Sequence, residues 1–146
     1  MTYKKFNAKE AEELKVQRMA IPENRLSYEI IGAAIEVHRT LGGPGLLESI
    51  YEHSLYYELI SREFEVKKHV AIPVRYKNIL AKDPLYLDLL VEDKVIVEIK
   101  ATDHDHPVYQ AQLLTYLRLT GVKLGLLINF GQECVKDGIS RVVNGL

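Results

Sequence analysis

The order of hydrophobic periods along this chain predicts a single α/β domain, with a mixed central β-sheet flanked by helices. Three observations carry that expectation. Two segments with helical spacing of apolar residues come first, and three segments rich in Val, Ile, Leu and Tyr follow. A helix then leads into one unbroken apolar run, and a helical crossover between two strands of one sheet requires a parallel pair. A length of 146 residues with 47% hydrophobic content suffices for one compact core and not for two ordinary domains.

Residues 1–24 read as an N-terminal arm, helical and loosely docked, because its apolar positions alternate only weakly and Ile21-Pro22 disfavours continuation. From Arg25 to Leu41, Ile30, Ile31, Ala34, Ile35, Val37, His38 and Leu41 recur at helical spacing, with Ser27 a reasonable N-cap. Gly42-Gly43-Pro44-Gly45 breaks this helix, and a second amphipathic pattern runs from about Leu46 to Arg62. The period then changes: Val66 to Tyr76, Leu85 to Val91 and Val95 to Ala101 read as strands. Asp105 can cap a helix that carries Pro107 in its first turn and stops at Gly121. Leu124 to Phe130 has the continuous apolar character of a strand covered on both faces, and Ile139 to Val143 adds a last short one.

Composition removes several function classes. The apolar runs stop far short of the roughly 20 residues of a membrane span, and no signal-peptide series opens the chain. The expectation is a cytoplasmic protein without a membrane partner. One cysteine, Cys134, forms no internal disulfide and holds neither zinc nor an iron–sulfur cluster by itself. A formal net charge of -1 does not advertise a polyanion partner and does not exclude one. Lys67, Lys68, His69, Arg75, Lys77 and Lys82 nevertheless fall in one stretch, which fits either a phosphate-lining surface or an ordinary solvated strand face.

The most informative stretch is Leu87 to Lys100, two apolar strands joined by a polar turn and interrupted by Asp88, Glu98 and Lys100. Glu98 and Lys100 are two apart and share one strand face, where a buried charge costs several kcal/mol unless it is paired, solvated or metal-bound. A three-residue turn, Glu92-Asp93-Lys94, sets Asp88 opposite Glu98; a two-residue turn sends it to the other face. Two facing carboxylates repel, and an oxygen-preferring divalent cation such as Mg2+ relieves the repulsion. The competing reading is an inert Glu98–Lys100 ion pair at a wet sheet edge.

These residues resemble the PD-(D/E)XK nuclease superfamily, whose pattern is an aspartate on one strand and (D/E)-x-K on the next, here Asp88 and Glu98-Ile99-Lys100. Leu87 stands where the name-giving proline would be. A more specific resemblance is to the GxxExxY family, a branch of that superfamily, through Gly45-Leu46-Leu47-Glu48-Ser49-Ile50-Tyr51. It extends from about Arg25 to Phe130 and includes Val95 to Ala101, Ala111 to Leu117 and Gly125 to Gly131. Gly42-Gly43-Pro44-Gly45 departs from the usual Leu-Gly-Pro-Gly by one inserted residue. Gln112 and Tyr116 match the Q-x-x-x-Y element of RecB-like nucleases, and at four residues apart they share a helix face.

The resemblance implies a restriction-endonuclease-like core (helix, three-stranded meander, helix, strand) over residues 25–146. It implies a metal-dependent nuclease hydrolysing DNA phosphodiester bonds with Mg2+ or Mn2+. Asp88, Glu98, Lys100, Gln112 and Tyr116 would be its catalytic residues. Asp88, Glu98, Glu48 and the Ile99 carbonyl would be metal ligands, with His38 a further candidate that also reads as a core histidine. His104 and His106, two apart in a loop, lack a ligand geometry and read as a solvated turn. The expected partner is nucleic acid, with a homodimer or larger complex allowed. The alternative function is a non-catalytic module that keeps the nuclease fold for binding or regulation within an assembly.

Overall fold

The computed structural model describes residues 5–146; residues 1–4 of the expected arm lie outside them. Helix α1 (Ala8–Met19) opens with a reciprocal cap, in which the Glu10 amide donates to Asn7 Oδ1 at 2.8 Å and the Asn7 amide to Glu10 Oε2 at 3.2 Å. Its side chains from Ala8 to Gln17 are largely exposed, so little apolar burial ties it down. Helix α2 (Glu23–Leu41) follows directly after Pro22, five residues earlier than a cap at Ser27 would place it. Ser27 is buried inside the helix, because the apolar stripe already begins at Leu26 and recruits the preceding turn. Gly42, in the left-handed region with φ of 89°, closes α2, and the Gly43 amide donates back to the His38 carbonyl at 2.8 Å.

Helix α3 (Glu48–Ser61) leads into β1 (Val66–Ile72). The expected strand from Val66 to Tyr76 does not run through. It ends before Pro73, which has no amide for the ladder, and β2 (Arg75–Tyr76) leaves to pair with β3 (Ile79–Leu80) in a separate hairpin. Then come β4 (Leu85–Val91), β5 (Val95–Lys100), α4 (Pro107–Thr120), β6 (Leu124–Asn129) and, after a short 3-10 turn at Val135–Gly138, β7 (Ile139–Val143). The cap of α4 is His106, whose Nδ1 accepts from the Val108 amide at 3.1 Å. Asp105 is not the cap; its Oδ1 accepts from Asn129 Nδ2 at 2.9 Å.

The main sheet has the order β1-β4-β5-β6-β7, antiparallel except for the parallel β5–β6 pair that α4 connects. One face buries Leu89, Val97, Ile99, Leu126 and Ile128 against Leu26, Ile30, Val37, Leu55 and Leu59 of α2 and α3. The other buries Ile96 and Leu127 against Leu113, Tyr116 and Leu117 of α4. Helix α4 sits close to β6 because Gly125 leaves room for Leu113, whose Cδ1 would stand 2.8 Å from an added Cβ. This is the mixed α/β architecture expected of a restriction-endonuclease-like fold.

Candidate active site

The β4–β5 turn is Glu92-Asp93-Lys94, with Glu92 and Asp93 in the left-handed region at φ of 53° and 54° and the Lys94 amide donating to Val91 O at 2.9 Å. The register Leu89↔Val97, Leu90↔Ile96, Val91↔Val95 carries forward to set Asp88 against Glu98. The three-residue turn is therefore the one the chain uses. Glu98 shares its strand face with Ile96, on the side that α4 covers.

Backbone pairing lapses around Asp88 on both sides. Toward β5, the carboxylates take over ladder positions: the Asp88 amide donates to Glu98 Oε1 at 3.1 Å and the Ile99 amide to Asp88 Oδ2 at 2.8 Å. Toward β1, the register passes from Lys68↔Leu89 to Val70↔Leu87 without a pair between His69 and Asp88, and His69 lies at φ of 51°. Side-chain alternation breaks at the same place, since Leu87 packs in the α4 cluster while Leu89, two residues on, packs against α2 and α3. The sheet thus opens at Asp88, and two carboxylates are held there by backbone amides.

Burial and the adjacent Asp88 carboxylate push Glu98 from 4.5 up to about 9; the Asp88 amide and Lys100 pull the other way. Lys100 follows on the same face, half-buried, with Nζ 4.6 Å above the centre of the Tyr109 ring. Burial raises the Glu48 carboxyl, the Lys100 charge pulls it down in part, and Asp88 adds to the rise. Glu48 is exposed at the first turn of α3. Tyr51, one turn on, fixes that entry: its hydroxyl donates to the Gly43 carbonyl at 2.7 Å and accepts from the Leu46 amide at 3.2 Å.

The structure brings Asp88, Glu98, Lys100, Glu48 and Tyr116 into one electrostatic neighbourhood. Tyr116 is buried, and its hydroxyl is raised by that burial and by the charges of Glu98 and Asp88. Gln112 lies exposed one turn earlier on α4. Ile99, wholly buried between the two charged residues, spends its amide on Asp88. His38 is in the core, with Nε2 3.2 Å from the Phe130 carbonyl and its ring beside the stacked Tyr51 and Phe130 rings. His104 is exposed and bonded to Asp103, and Cys134 is a free, exposed thiol.

Two groups escaped sequence reasoning. Glu52, four residues after Glu48 and so on the same helix face, is raised by desolvation and by Asp88, and meets His69 Nε2 at 2.6 Å. The i, i+4 spacing was the available signal. Asn129 is fully buried at the end of β6, its Oδ1 accepting from the Thr102 amide at 3.1 Å and the Gly131 amide at 2.9 Å. It ties the segment after Lys100 to the segment after β6, and a single asparagine in an apolar run signals such a role.

Among the described residues, no three His, Cys, Asp or Glu side chains stand together as a ready-made metal site. The donor chemistry still suits a hard divalent cation. Two carboxylates are held together where burial and the Asp88 charge raise Glu98, and Mg2+ characteristically takes one or two carboxylates with water and substrate oxygens. A family model of the PD-(D/E)XK nuclease superfamily matches residues 24–142. The chain belongs to this superfamily. Neither the curated proteins nor the solved structures compared with this PD-(D/E)XK chain gave a match. Nuclease chemistry and a nucleic-acid substrate follow from the superfamily, whose members generally depend on divalent metal. Among the described residues, no helix is long and apolar enough to cross a membrane.

Proposed function

We propose that this PD-(D/E)XK protein is a nuclease of the GxxExxY branch that hydrolyses DNA phosphodiester bonds with Mg2+ or Mn2+. The observation that carries the reading is the interlocked Asp88–Glu98 pair at the point where β4 and β5 separate, with Lys100 on the same face. A protein using the fold only as a scaffold gains nothing from two apposed carboxylates there.

In this reading Asp88 and Glu98 hold the cation, with the Ile99 carbonyl and Glu48 as further oxygen donors. Bound there, it supplies Lewis acidity toward a phosphoryl oxygen and an acidified water. Lys100, steadied over Tyr109, orients the attacking water and meets charge developing on the phosphate. Tyr116 and Gln112 present hydrogen-bonding groups from α4 to the phosphate, the arrangement of a RecB-like Q-x-x-x-Y helix. His38 serves the site through the fold, by fixing the Phe130 segment to α2.

The test is cleavage of labelled single- and double-stranded DNA and RNA with Mg2+, Mn2+ or EDTA, comparing wild type with Glu98→Ala and Lys100→Ala. Metal-dependent cutting of DNA that both substitutions abolish supports the proposal. Metal-dependent cutting of RNA alone corrects the substrate. No cutting by a folded protein shifts the assignment to a binding or regulatory module.

A further inference from the structure

The basic stretch of residues 67–82 divides into two populations. Lys67 is paired with Asp93 at 2.8 Å, Lys68 lies 4.4 Å from the Tyr56 ring centre, and His69 is held by Glu52. These three serve the sheet and the site. Arg75, Lys77 and Lys82 lie instead on or beside the β2–β3 hairpin, exposed, and among the described residues none of the three meets a carboxylate. Asp83 is the single acidic residue between Ile72 and Asp88.

The hairpin also exposes apolar surface that a solvated loop has no reason to carry. Tyr76 and Ile79 face each other across its ladder and are 70% and 69% exposed, and Leu80 opposite Arg75 is 54% exposed. Tyr86, two residues before Asp88 on β4 and opposite Ala71, is also 58% exposed. Lys77 occupies the two-residue turn at φ of 55°, where glycine or asparagine is the ordinary choice. What this strained position gains is a cation at the outermost point of the hairpin.

Position makes the partner specific. The hairpin joins the end of β1 to the start of β4, and β5 and β6 finish at the same sheet end, so it projects from the edge that bears Asp88, Glu98 and Lys100. Ile72 pairs with Leu85, three residues from Asp88. At about 3.3 Å per extended residue the tip stands within about 25 Å of Asp88, the span of about seven base steps.

We propose that the 73–84 hairpin is a DNA-docking element: Arg75, Lys77 and Lys82 contact phosphates flanking the cleaved bond, and Tyr76 and Ile79 pack against exposed bases. The charge complements a polyanion, aromatic and aliphatic groups at a basic tip suit base stacking, and the geometry keeps both on the strand being cut. The inference rests on the proposed nuclease activity for its substrate. A protein partner would use the apolar pair without needing the three cations.

The test measures binding of full-length protein to a long labelled duplex, and to its single strand, by anisotropy across a KCl series, with Mg2+-dependent cutting scored separately. Arg75→Ala/Lys77→Ala/Lys82→Ala should flatten the duplex slope of log K against log salt by about 2.7. Lys77→Gly, which relieves the positive φ and keeps the fold, should flatten it by about 0.9. Tyr76→Ala/Ile79→Ala should weaken binding to the single strand about tenfold or more with its slope unchanged. If wild type cuts DNA while these variants bind like wild type, the docking proposal is overturned and the nuclease reading stands; the apolar pair then belongs to a protein partner. If wild type neither cuts nor binds DNA, both readings fall.

Discussion

Replacing Glu98 by Gln should stabilise the metal-free protein at neutral and higher pH while destroying its response to metal. The amide keeps an oxygen to accept from the Asp88 amide and brings a donor to the Asp88 carboxylate, with no ionisation to set against burial and the Asp88 charge. A carboxyl raised from 4.5 to about 9 on folding contributes stability that is fully present below pH 4.5 and is lost as the pH climbs through about 9. By about pH 7 the loss is on the order of 3 kcal/mol, which for a domain of this size is about 10 °C in Tm. Thermal melts of wild type and Glu98→Gln in EDTA should therefore coincide near pH 4.5 and diverge steadily above it. Mg2+ should restore the wild type at high pH and leave the variant where it is. Parallel pH profiles for the two proteins in EDTA would refute the burial and repulsion assigned to this pair.

Metal binding should release about one proton per ion near neutral pH, read by calorimetry in buffers of different ionisation enthalpy, with affinity rising as pH approaches about 9. Lys100→Ala should lower kcat by about 10^2 to 10^3 with little change in Tm, because the side chain stands half-exposed over Tyr109; equal losses in both would count against its role. Tyr51→Phe removes the hydroxyl that joins Gly43 to Leu46, and urea titration should show a loss of about 1 to 3 kcal/mol, with slower cleavage as Glu48 loosens. Gly131→Ala places a Cβ 2.0 Å from the Thr102 carbonyl oxygen, and should cost about 1 to 3 kcal/mol on the same scale while disordering the segment after Lys100.

The elements that carry the site were legible because they obey strong periodic rules. Strand β6 is five apolar or small residues in a row followed by an asparagine, and α4 is bounded by Pro107 and Gly121. The Asp88–Glu98 apposition was readable as a condition on turn length, and the three-residue turn met that condition. Other features were hidden because distant packing decides them. Ser27 looks like a cap until Leu26 is seen in the core, and β-rich composition around Val74 to Tyr76 masks the break that Pro73 imposes. The left-handed His69 and its reach to Glu52 arise from a distorted sheet, which no local preference of histidine encodes.

Strand β4 is bounded by two turns that differ sharply in the changes of length they tolerate. Losing one residue from Glu92-Asp93-Lys94 would force the two-residue connection, turning Asp88 to the far side of the sheet and leaving Glu98 alone. The chain would still have its complete set of charged residues and a similar hydrophobic pattern, yet no paired carboxylates. Residues 73–84, by contrast, project beyond the last β1–β4 pair, and insertion or shortening there leaves that register untouched. Related chains can therefore be sorted by gap position: those that keep three residues between the strands retain the carboxylate pair, whereas variable length at the hairpin changes what the protein grips.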